Sequence, residues 1–419
     1  MSKYCVIGKS LPHTLSPEIH RAFGRERYDV KELFDECALQ DFVARREYDG
    51  FNVTIPYKQA VMPLLDELSA GAREIGAVNT VVSEDGKLKG YNTDEEGMRY
   101  ALNRAGIVIK DRNVLILGSG GTSKTAQYLC RTDGAKSVNI VSRTGEVNYD
   151  NCYDLKDTQV IINATPVGMM PHAYEKPVEL KKFKSLEGVF DCIYNPLETM
   201  LIKEARKMGV TAANGLTMLV EQGRIAHNLF ECAKGLPVVD VSQTDRITKQ
   251  LFASRRNIVL AGMAGSGKSV IGKTVARTLN RQFVDTDAEI ERLEGRSIPQ
   301  IFKDSGEEYF REVERSVVES VCIRQGLVIS TGGGAVLNER SVFFMKANGV
   351  CYLIRRPADK LAIKGRPLTP DAESARLLYE KRKPIYKAIA DVIIDNDKED
   401  IEGAVEHIIS DFTAREDKI

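Results

Sequence analysis

Histidine is scarce in this chain: five residues in 419, scattered, with no H-E-x-x-H spacing. A transition-metal centre held by protein ligands is therefore not expected. The eight cysteines (Cys5, Cys37, Cys130, Cys152, Cys192, Cys232, Cys322 and Cys351) never form a C-x-x-C pair. That spacing excludes a zinc knuckle and a disulfide scaffold, and it fits reduced cytosolic thiols. No apolar run approaches the roughly 18 residues of a membrane span. Met1 to Lys9 lacks a basic segment followed by a long apolar stretch. No signal peptide is expected, and the predicted location is the cytoplasm. Net charge is also missing, since 59 Lys+Arg balance 59 Asp+Glu. The chain as a whole is thus not built to coat nucleic acid or an anionic membrane, which leaves local basic pockets open. Internal repeats and low-complexity tracts are absent, so a solenoid is excluded.

What remains is an ordinary globular composition, 43% hydrophobic and 28% charged, long enough for about two to four domains. Two apolar strands run into glycine loops. Asn113-Val114-Leu115-Ile116-Leu117 leads to Gly118-Ser119-Gly120-Gly121, and Ile258-Val259-Leu260-Ala261 leads to Gly262. Two strand–loop–helix units about 145 positions apart imply two α/β nucleotide domains. The first 100 residues also alternate strands and helices. Tyr4 to Gly8 and Gly50 to Thr54 read as strands, Pro17 to Phe23 starts a helix, and Ala77 to Val82 with Leu88 to Asn92 reads as a hairpin around Glu84-Asp85-Gly86. This block has no nucleotide loop and is a candidate substrate domain. Leu216 to Cys232 has helical periodicity. The polar stretch Gly235 to Arg256 has little, and the interdomain linker is placed there. The predicted class is α/β throughout.

Gly262-Met263-Ala264-Gly265-Ser266-Gly267-Lys268-Ser269 fits G-x-x-x-x-G-K-[ST]. Glycines let the backbone curl so that its N–H groups face phosphate oxygens, and the next helix adds its dipole. Lys268 would reach the β/γ-phosphates, and the Ser269 hydroxyl would ligate Mg²⁺. Four later segments narrow the acceptor. Phe283 to Asp287 reads as a strand ending in two carboxylates, of which Asp285 would hold Mg²⁺ through water and Asp287 would accept a proton from an attacking hydroxyl. Gly306 to Arg311 opens an amphipathic helix. Ser330-Thr331-Gly332-Gly333-Gly334 offers bare backbone to a small ligand. Gly365-Arg366-Pro367-Leu368 and Arg382-Lys383-Pro384-Ile385-Tyr386 place cations in a polar stretch that looks like a lid.

This set, in this order, resembles shikimate kinase over residues 256–419, which implies a P-loop α/β/α domain like the nucleoside-monophosphate kinases. The resemblance implies that Asp287 contacts and activates the ring hydroxyls. Arg311 and Arg382 would clamp the substrate carboxylate, and the Gly333 backbone would touch the substrate. Gly265, Ser266, Gly267, Lys268, Ser269 and Val270 would line ATP. Arg366 would close over ATP with the lid, Lys364 to Ser374. Val270 stands where many relatives carry Thr.

The first loop matches G-x-G-x-x-G poorly, because Ser123 replaces the third glycine. The strand before it and the helix pattern after it support a Rossmann dinucleotide fold. The next strand, Ser137 to Val141, ends in Ser142-Arg143-Thr144 rather than in an acidic residue. A cation there attracts a 2′-phosphate, so NADP is expected rather than NAD. In the block before, Asn52-Val53-Thr54-Ile55-Pro56-Tyr57-Lys58 puts a lysine beyond a strand end, and Gly90-Tyr91-Asn92-Thr93-Asp94 does the same for a carboxylate. A Lys58–Asp94 pair would hold an ammonium beside a substrate oxygen that must be protonated.

These segments resemble shikimate dehydrogenase over about residues 1–235. Further matching stretches are Thr14-Leu15-Ser16-Pro17, Gly76 to Thr80, Asn163 to Met169, Asp191 to Pro196 and Asn214 to Gly223. The resemblance implies that Thr14 and Ser16 bind the substrate carboxylate, while Thr54, Asn79, Asp94, Tyr194 and Gln222 hold ring hydroxyls. Lys58 would be the acid/base, with Asp94 as its partner. Gly118, Ser119, Gly120, Gly121, Thr122, Arg143, Thr144 and Gly215 would line NADP(H). Thr14 stands where many relatives have Ser, and shikimate is not separated from quinate at this level.

The expected organisation is a substrate domain over 1–100, completed by 216–235, a Rossmann NADP domain over 101–215, a linker over 236–255 and a kinase domain over 256–419. The two resemblances meet on one compound. They imply NADPH-dependent reduction of 3-dehydroshikimate to shikimate, then ATP- and Mg²⁺-dependent formation of shikimate 3-phosphate, in aromatic amino-acid biosynthesis. Partners are small molecules, with no nucleic acid and no membrane. Two rivals are a regulator that kept both folds without turnover, and a quinate dehydrogenase joined to another small-acid kinase. The intact Lys58, Asp94, Lys268, Ser269, Asp287 and Arg311 weigh against the first.

Overall fold

The computed structural model describes every residue except 1, 13, 362–370, 397–399 and 417–419. The chain divides into two compact units, Met1–Tyr194 with Thr199–Thr248, and Asn195–Glu198 with Lys249–Ile419.

The first unit holds two sheets. One is mixed, from β1 (Tyr4–Gly8), β2 (Asp29–Glu32), β3 (Gly50–Val53), β4 (Glu67–Leu68), β5 (Thr80–Glu84) and β6 (Lys87–Tyr91), in the order β2-β1-β3-β5-β6-β4. Its helices are α1 (Ser16–Ala22), α2 (Glu36–Arg45) and α3 (Ala70–Ile75). The expected hairpin is the antiparallel β5–β6 pair. The connecting α4 (Asp94–Ala105) carries Asp94, Glu95 and Glu96 in its first turn, where the helix dipole favours negative charge, and it ends at Gly106 in the left-handed region.

The second sheet is wholly parallel: β7 (Asn113–Leu117), β8 (Ser137–Val141), β9 (Val160–Asn163), β10 (Gly188–Asp191) and β11 (Thr211–Asn214), ordered β11-β10-β9-β7-β8. Successive strand residues face opposite sides, so both faces need cover. Val114 and Ile116 pack with Met98 and Leu102 of α4 and with Ala126 and Leu129 of α5 (Gly121–Thr132). Leu115 and Leu117 pack with Leu201, Ile202 and Ala205 of α6 (Met200–Lys207). This is why β7 reads as an unbroken apolar run. Next, α7 (Leu216–Cys232) lies against α4 and the first sheet.

Residues 242–255, expected within an irregular linker, form helix α8 (Ser242–Arg255). Its buried positions are Thr244, Ile247, Thr248, Leu251 and Ala253, of which the first four form a stripe at three- and four-residue spacing. Two of the four are threonine, so a purely apolar count misses the stripe.

The second unit has one parallel sheet: β12 (Asn257–Ala261), β13 (Phe283–Asp285), β14 (Val328–Ser330), β15 (Gly349–Arg355) and β16 (Val392–Asp395), ordered β13-β14-β12-β15-β16. Around it run α9 (Lys268–Thr278), α10 (Thr286–Glu294), α11 (Ile298–Ile323), α12 (Glu339–Ala347), α13 (Ala372–Ile389) and α14 (Ile401–Glu416). Ile258 and Leu260 meet Ile271 and Val275 of α9 and Ile408 and Phe412 of α14. At Gly306, with φ 81°, α11 is kinked, so a fresh helical stretch opens there as expected. Arg382 to Tyr386, expected in a lid-like stretch, instead lie inside α13, with Arg382 and Tyr386 buried. Aliphatic and aromatic positions at helical spacing outweigh the local run of charges. Among the described residues, no helix is long and apolar enough to cross a membrane.

One close approach sets the site geometry. A Cβ on Gly97 of α4 would lie 2.8 Å from the Met218 carbonyl oxygen and 3.0 Å from the Gln222 backbone nitrogen of α7. Backbone cannot yield there cheaply, so Gly97→Ala should destabilise the first unit by about 1–3 kcal/mol, read as a lower urea midpoint.

Candidate active site

In the first unit, β3 ends at Val53 and the chain turns through Thr54 to Lys58. There Lys58 Nζ donates to Asp94 Oδ2 at 2.5 Å, and both side chains are only slightly exposed. Asp94 sits at the first position of α4. Behind the pair, the buried Asn79 is held from both ends. Its Oδ1 accepts from the Thr93 N–H at 2.7 Å, while its Nδ2 donates to Thr93 Oγ1 at 2.9 Å and to Gln222 Oε1 at 3.3 Å. Asn52 supports it from below, donating to the Asn79 carbonyl and to Thr80 Oγ1. Thr14 Oγ1 donates to Ser16 Oγ at 3.3 Å, so those two hydroxyls are brought together. Thr54, Tyr194 and Gln222 are part-exposed.

The glycine loop after β7 reaches the same place. A Cβ on Gly121 would lie 3.6 Å from Lys58 Cδ, and Lys124 donates to Gln59 at 3.0 Å. Gly118 has φ 104° and packs on Ala164 and Thr165. Gly120 caps α5 without a side-chain bond, and nothing lies within 4 Å of a Cβ placed on it. Arg143 and Thr144 are exposed just beyond β8. Gly215 lies tight against the Cys192 carbonyl. Burial holds the Cys192 thiol above its ordinary range; Asp191 and Asp94 add to this and Lys58 opposes it.

In the second unit, the loop Gly262–Lys268 has φ of 140°, 85° and 100° at Gly262, Gly265 and Gly267. Lys268 Nζ is buried and donates to the carbonyls of Gly262 and Met263 at 2.9 and 2.8 Å. Ser269 Oγ donates to Asp285 Oδ2 at 2.6 Å. β13 ends at Asp285, which caps α10 by accepting from the Asp287 N–H. Asp287 therefore belongs to a helix first turn, two residues past the strand that was expected to include it. Burial, helped by Asp285 and opposed by Lys268, pushes its carboxyl up to about 6.

The glycine triplet threads through these groups. A Cβ on Gly332 would lie 2.5 Å from Asp287 Oδ1 and 2.7 Å from Glu314 Oε1; one on Gly333 would lie 3.2 Å from the Ala264 nitrogen. Gly334 lies against the Arg311 guanidinium. Arg311 donates to Glu314 at 2.7 Å and Glu307 at 2.9 Å, and Arg382 donates to the Gly333 carbonyl at 3.0 Å. Asp287, Gly333, Arg311 and Arg382 are thus gathered around one loop. Val270 projects into solvent, 54% exposed. Arg366 and residues 364–370 lie outside the described residues; Asp371 to Ser374 form the capping box of α13.

The family model described as Shikimate dehydrogenase substrate binding domain matches residues 6–81. The one described as Shikimate kinase matches residues 264–413. A shikimate dehydrogenase (NADP(+)) of Caldicellulosiruptor bescii is 40% identical over 250 residues, covering 53% of this chain and 86% of the relative. The chain belongs to the shikimate dehydrogenase family. Its C-terminal part carries a shikimate kinase domain, so the protein is a fused, bifunctional shikimate-pathway enzyme. A Thermus thermophilus shikimate 5-dehydrogenase solved with NADP(H) and shikimate is 30% identical with a TM-score of 0.53, covering 60% of this chain and 99% of that one. A chorismate mutase/shikimate 5-dehydrogenase fusion from Clostridium acetobutylicum is 34% identical with a TM-score of 0.55, covering 60% and 97%.

The groups such an enzyme needs fit the residues present. In the dehydrogenase part, the space over Gly120 at the start of α5 is open, and a helix N-terminus is suited to a pyrophosphate. In the kinase part, the buried Ser266 Oγ has no partner among the described residues, as an orphan donor in a phosphate cradle would. Ser269 and Asp285 offer adjacent oxygens suited to Mg²⁺. No group of three or more His, Cys, Asp or Glu able to hold a metal occurs among the described residues.

Three side chains were not singled out from sequence. Glu314, three residues after Arg311, is buried with Oε1 unpartnered among the described residues; the i, i+3 spacing on one helix was the available signal. Asn396 donates to the Ser266 carbonyl at 2.8 Å and left no local signal. Asp191 was quoted only within a motif. It is fully buried and accepts from Asn163 Nδ2, the Ile193 N–H and Thr199 Oγ1 at 3.0, 3.1 and 2.7 Å. Burial nevertheless pushes it up from 3.8 to about 7. The unfolded chain releases this proton first, so the fold loses stability as pH rises from about 4 through 7. Asp191→Asn never ionises. Between pH 5 and pH 8 its urea stability should therefore rise relative to the parent, by about 1–3 kcal/mol.

Proposed function

We propose that the dehydrogenase part reduces the ring ketone of 3-dehydroshikimate with NADPH, and that the kinase part phosphorylates the shikimate so formed with ATP. The observation that carries the reading is the Lys58–Asp94 pair standing beside Gly121 of the glycine loop; reduction of a ketone needs a proton donor next to the hydride donor, and this proximity supports Lys58 in that role. Bound NADPH would supply the hydride, and bound MgATP the phosphoryl group.

Lys58 Nζ delivers a proton to the oxygen that the reduction leaves negative, and Asp94 keeps that ammonium in place. Thr14 and Ser16 hold the carboxylate. Thr54, Asn79, Tyr194 and Gln222 orient the ring, with Asn79 kept in one rotamer by Thr93. Gly118, Ser119, Gly120, Gly121 and Thr122 line the dinucleotide with Gly215, and Arg143 with Thr144 faces the 2′-phosphate.

In the kinase part, Asp287 accepts the proton of the attacking hydroxyl at its carboxylate. Lys268 exchanges its loop carbonyls for phosphate oxygens, while Gly265, Ser266 and Gly267 turn N–H groups inward and Ser269 with Asp285 faces Mg²⁺. Arg311 and Arg382 hold the acceptor carboxylate. Arg366, outside the described residues, would contribute its charge to ATP as the kinase resemblance implies. The domain limits proposed are 1–100 with 216–235, 101–215 and 256–419.

Lys58→Ala should cut NADPH-dependent reduction about 100- to 10,000-fold and leave phosphorylation unchanged. Lys268→Ala should do the reverse. Loss of both activities in either folded variant would refute separate sites. Arg143→Ala should raise the KM for NADPH about tenfold, the size of one charge-assisted bond, and barely move the rate with NADH. Equal effects on the two cofactors would show that Arg143 does not read the 2′-phosphate.

A further inference from the structure

The Gly333 carbonyl receives two donors from one helix. Arg382 Nη1 lies at 3.0 Å and the Tyr386 hydroxyl at 2.5 Å. The two side chains are one turn apart on α13, and both are buried. The same hydroxyl lies 3.6 Å from Met263 Sδ of the phosphate loop. Gly333 itself approaches Ala264 of that loop. The hydroxyl of Tyr386 thus sits where the acceptor loop meets the phosphate loop.

One good donor satisfies a buried carbonyl. Under the function proposed above, Arg382 has a second task, because its guanidinium is to bind an acceptor carboxylate. Its Nε is already buried with no partner among the described residues. An arginine that alone satisfied Gly333 would leave that carbonyl bare whenever it turned to substrate, and a bare buried carbonyl is costly. We propose that Tyr386 is a positioning residue for phosphorylation: its hydroxyl keeps the Gly333 carbonyl bonded, which releases Arg382 to the carboxylate of the acceptor. This rests on the reading of Arg382 as a carboxylate ligand. Burial also holds the Tyr386 phenol up to about 12, so it remains a donor at any working pH.

The test is steady-state phosphorylation by the full chain with Tyr386→Phe, Arg382→Gln and the double variant, using shikimate and its methyl ester as acceptors. Tyr386→Phe should raise the KM for shikimate about tenfold, with kcat and the KM for ATP within about twofold. The ester, which lacks the carboxylate charge, should show no such rise. The double variant should match Arg382→Gln, because the two changes act on one step. Tyr386→His, which keeps a ring donor, should recover part of the loss; it also serves if the Phe variant folds poorly. A KM for shikimate unmoved by Tyr386→Phe but raised by Arg382→Gln overturns the role of Tyr386 and leaves that of Arg382 standing. No effect of Arg382→Gln overturns both. Equal rises for shikimate, its ester and ATP would mark Tyr386 as a packing residue and also overturn the proposal.

Discussion

Both catalytic centres grow from one constraint on parallel sheets. When strands are added on either side of a first strand, the crossovers leave in opposite directions and a crevice opens at that strand's carboxyl end. This happens at β7, flanked by β8 and β9, and again at β12, flanked by β14 and β15. A helix begins directly beyond each, α5 and α9, with N–H groups that no helical carbonyl can reach. Those donors need a partner, and a phosphate is the natural one. The chain can turn sharply enough to present them only where a residue accepts positive φ, hence Gly118 at 104° and Gly262 at 140°.

Around these two anchors the charged groups are arranged differently. The dehydrogenase part sets the Lys58–Asp94 ion pair against a neutral lattice of Asn79, Thr93, Gln222 and Asn52. Amides and hydroxyls can orient a polyhydroxylated ring without adding charge to a site where an oxygen must be protonated. The kinase part crowds Asp285, Asp287 and Glu314 against Lys268, Arg311 and Arg382. There the Asp287 carboxyl is raised by burial and by like charge, and the cations are occupied by internal partners. Glu314 and Glu307 hold Arg311, the loop carbonyls hold Lys268, and Gly333 holds Arg382. Such partners keep the buried donors of these cations hydrogen-bonded, and for Arg311 they also balance its charge.

Much of this was legible in the order of residues. β1, β8 and α7 fall where periodicity placed them. So do β7 and β12, because a strand covered on both faces reads as an apolar run, here following Asn113 and Asn257. The α8 helix was missed because threonines fill half of its buried stripe. The burial of Arg382 and Tyr386 was missed because the surrounding Lys381, Lys383 and Lys387 give that stretch a solvated look. All eight cysteines are free thiols in the fold.

The sequence by itself determined the two nucleotide loops, the short segments beyond strands that carry Lys58 and Asp94, the strand end at Asp285, and the family to which the chain belongs, because those depend on short spacings along one segment. Tertiary structure alone decided which partners those groups keep: Asn79 with Gln222, 143 positions away, Ser269 with Asp285, and Gly333 with Arg382 and Tyr386. A side-chain hydrogen bond needs atoms within about 3.5 Å. Between distant segments, only the packing of helices and sheets brings them that close.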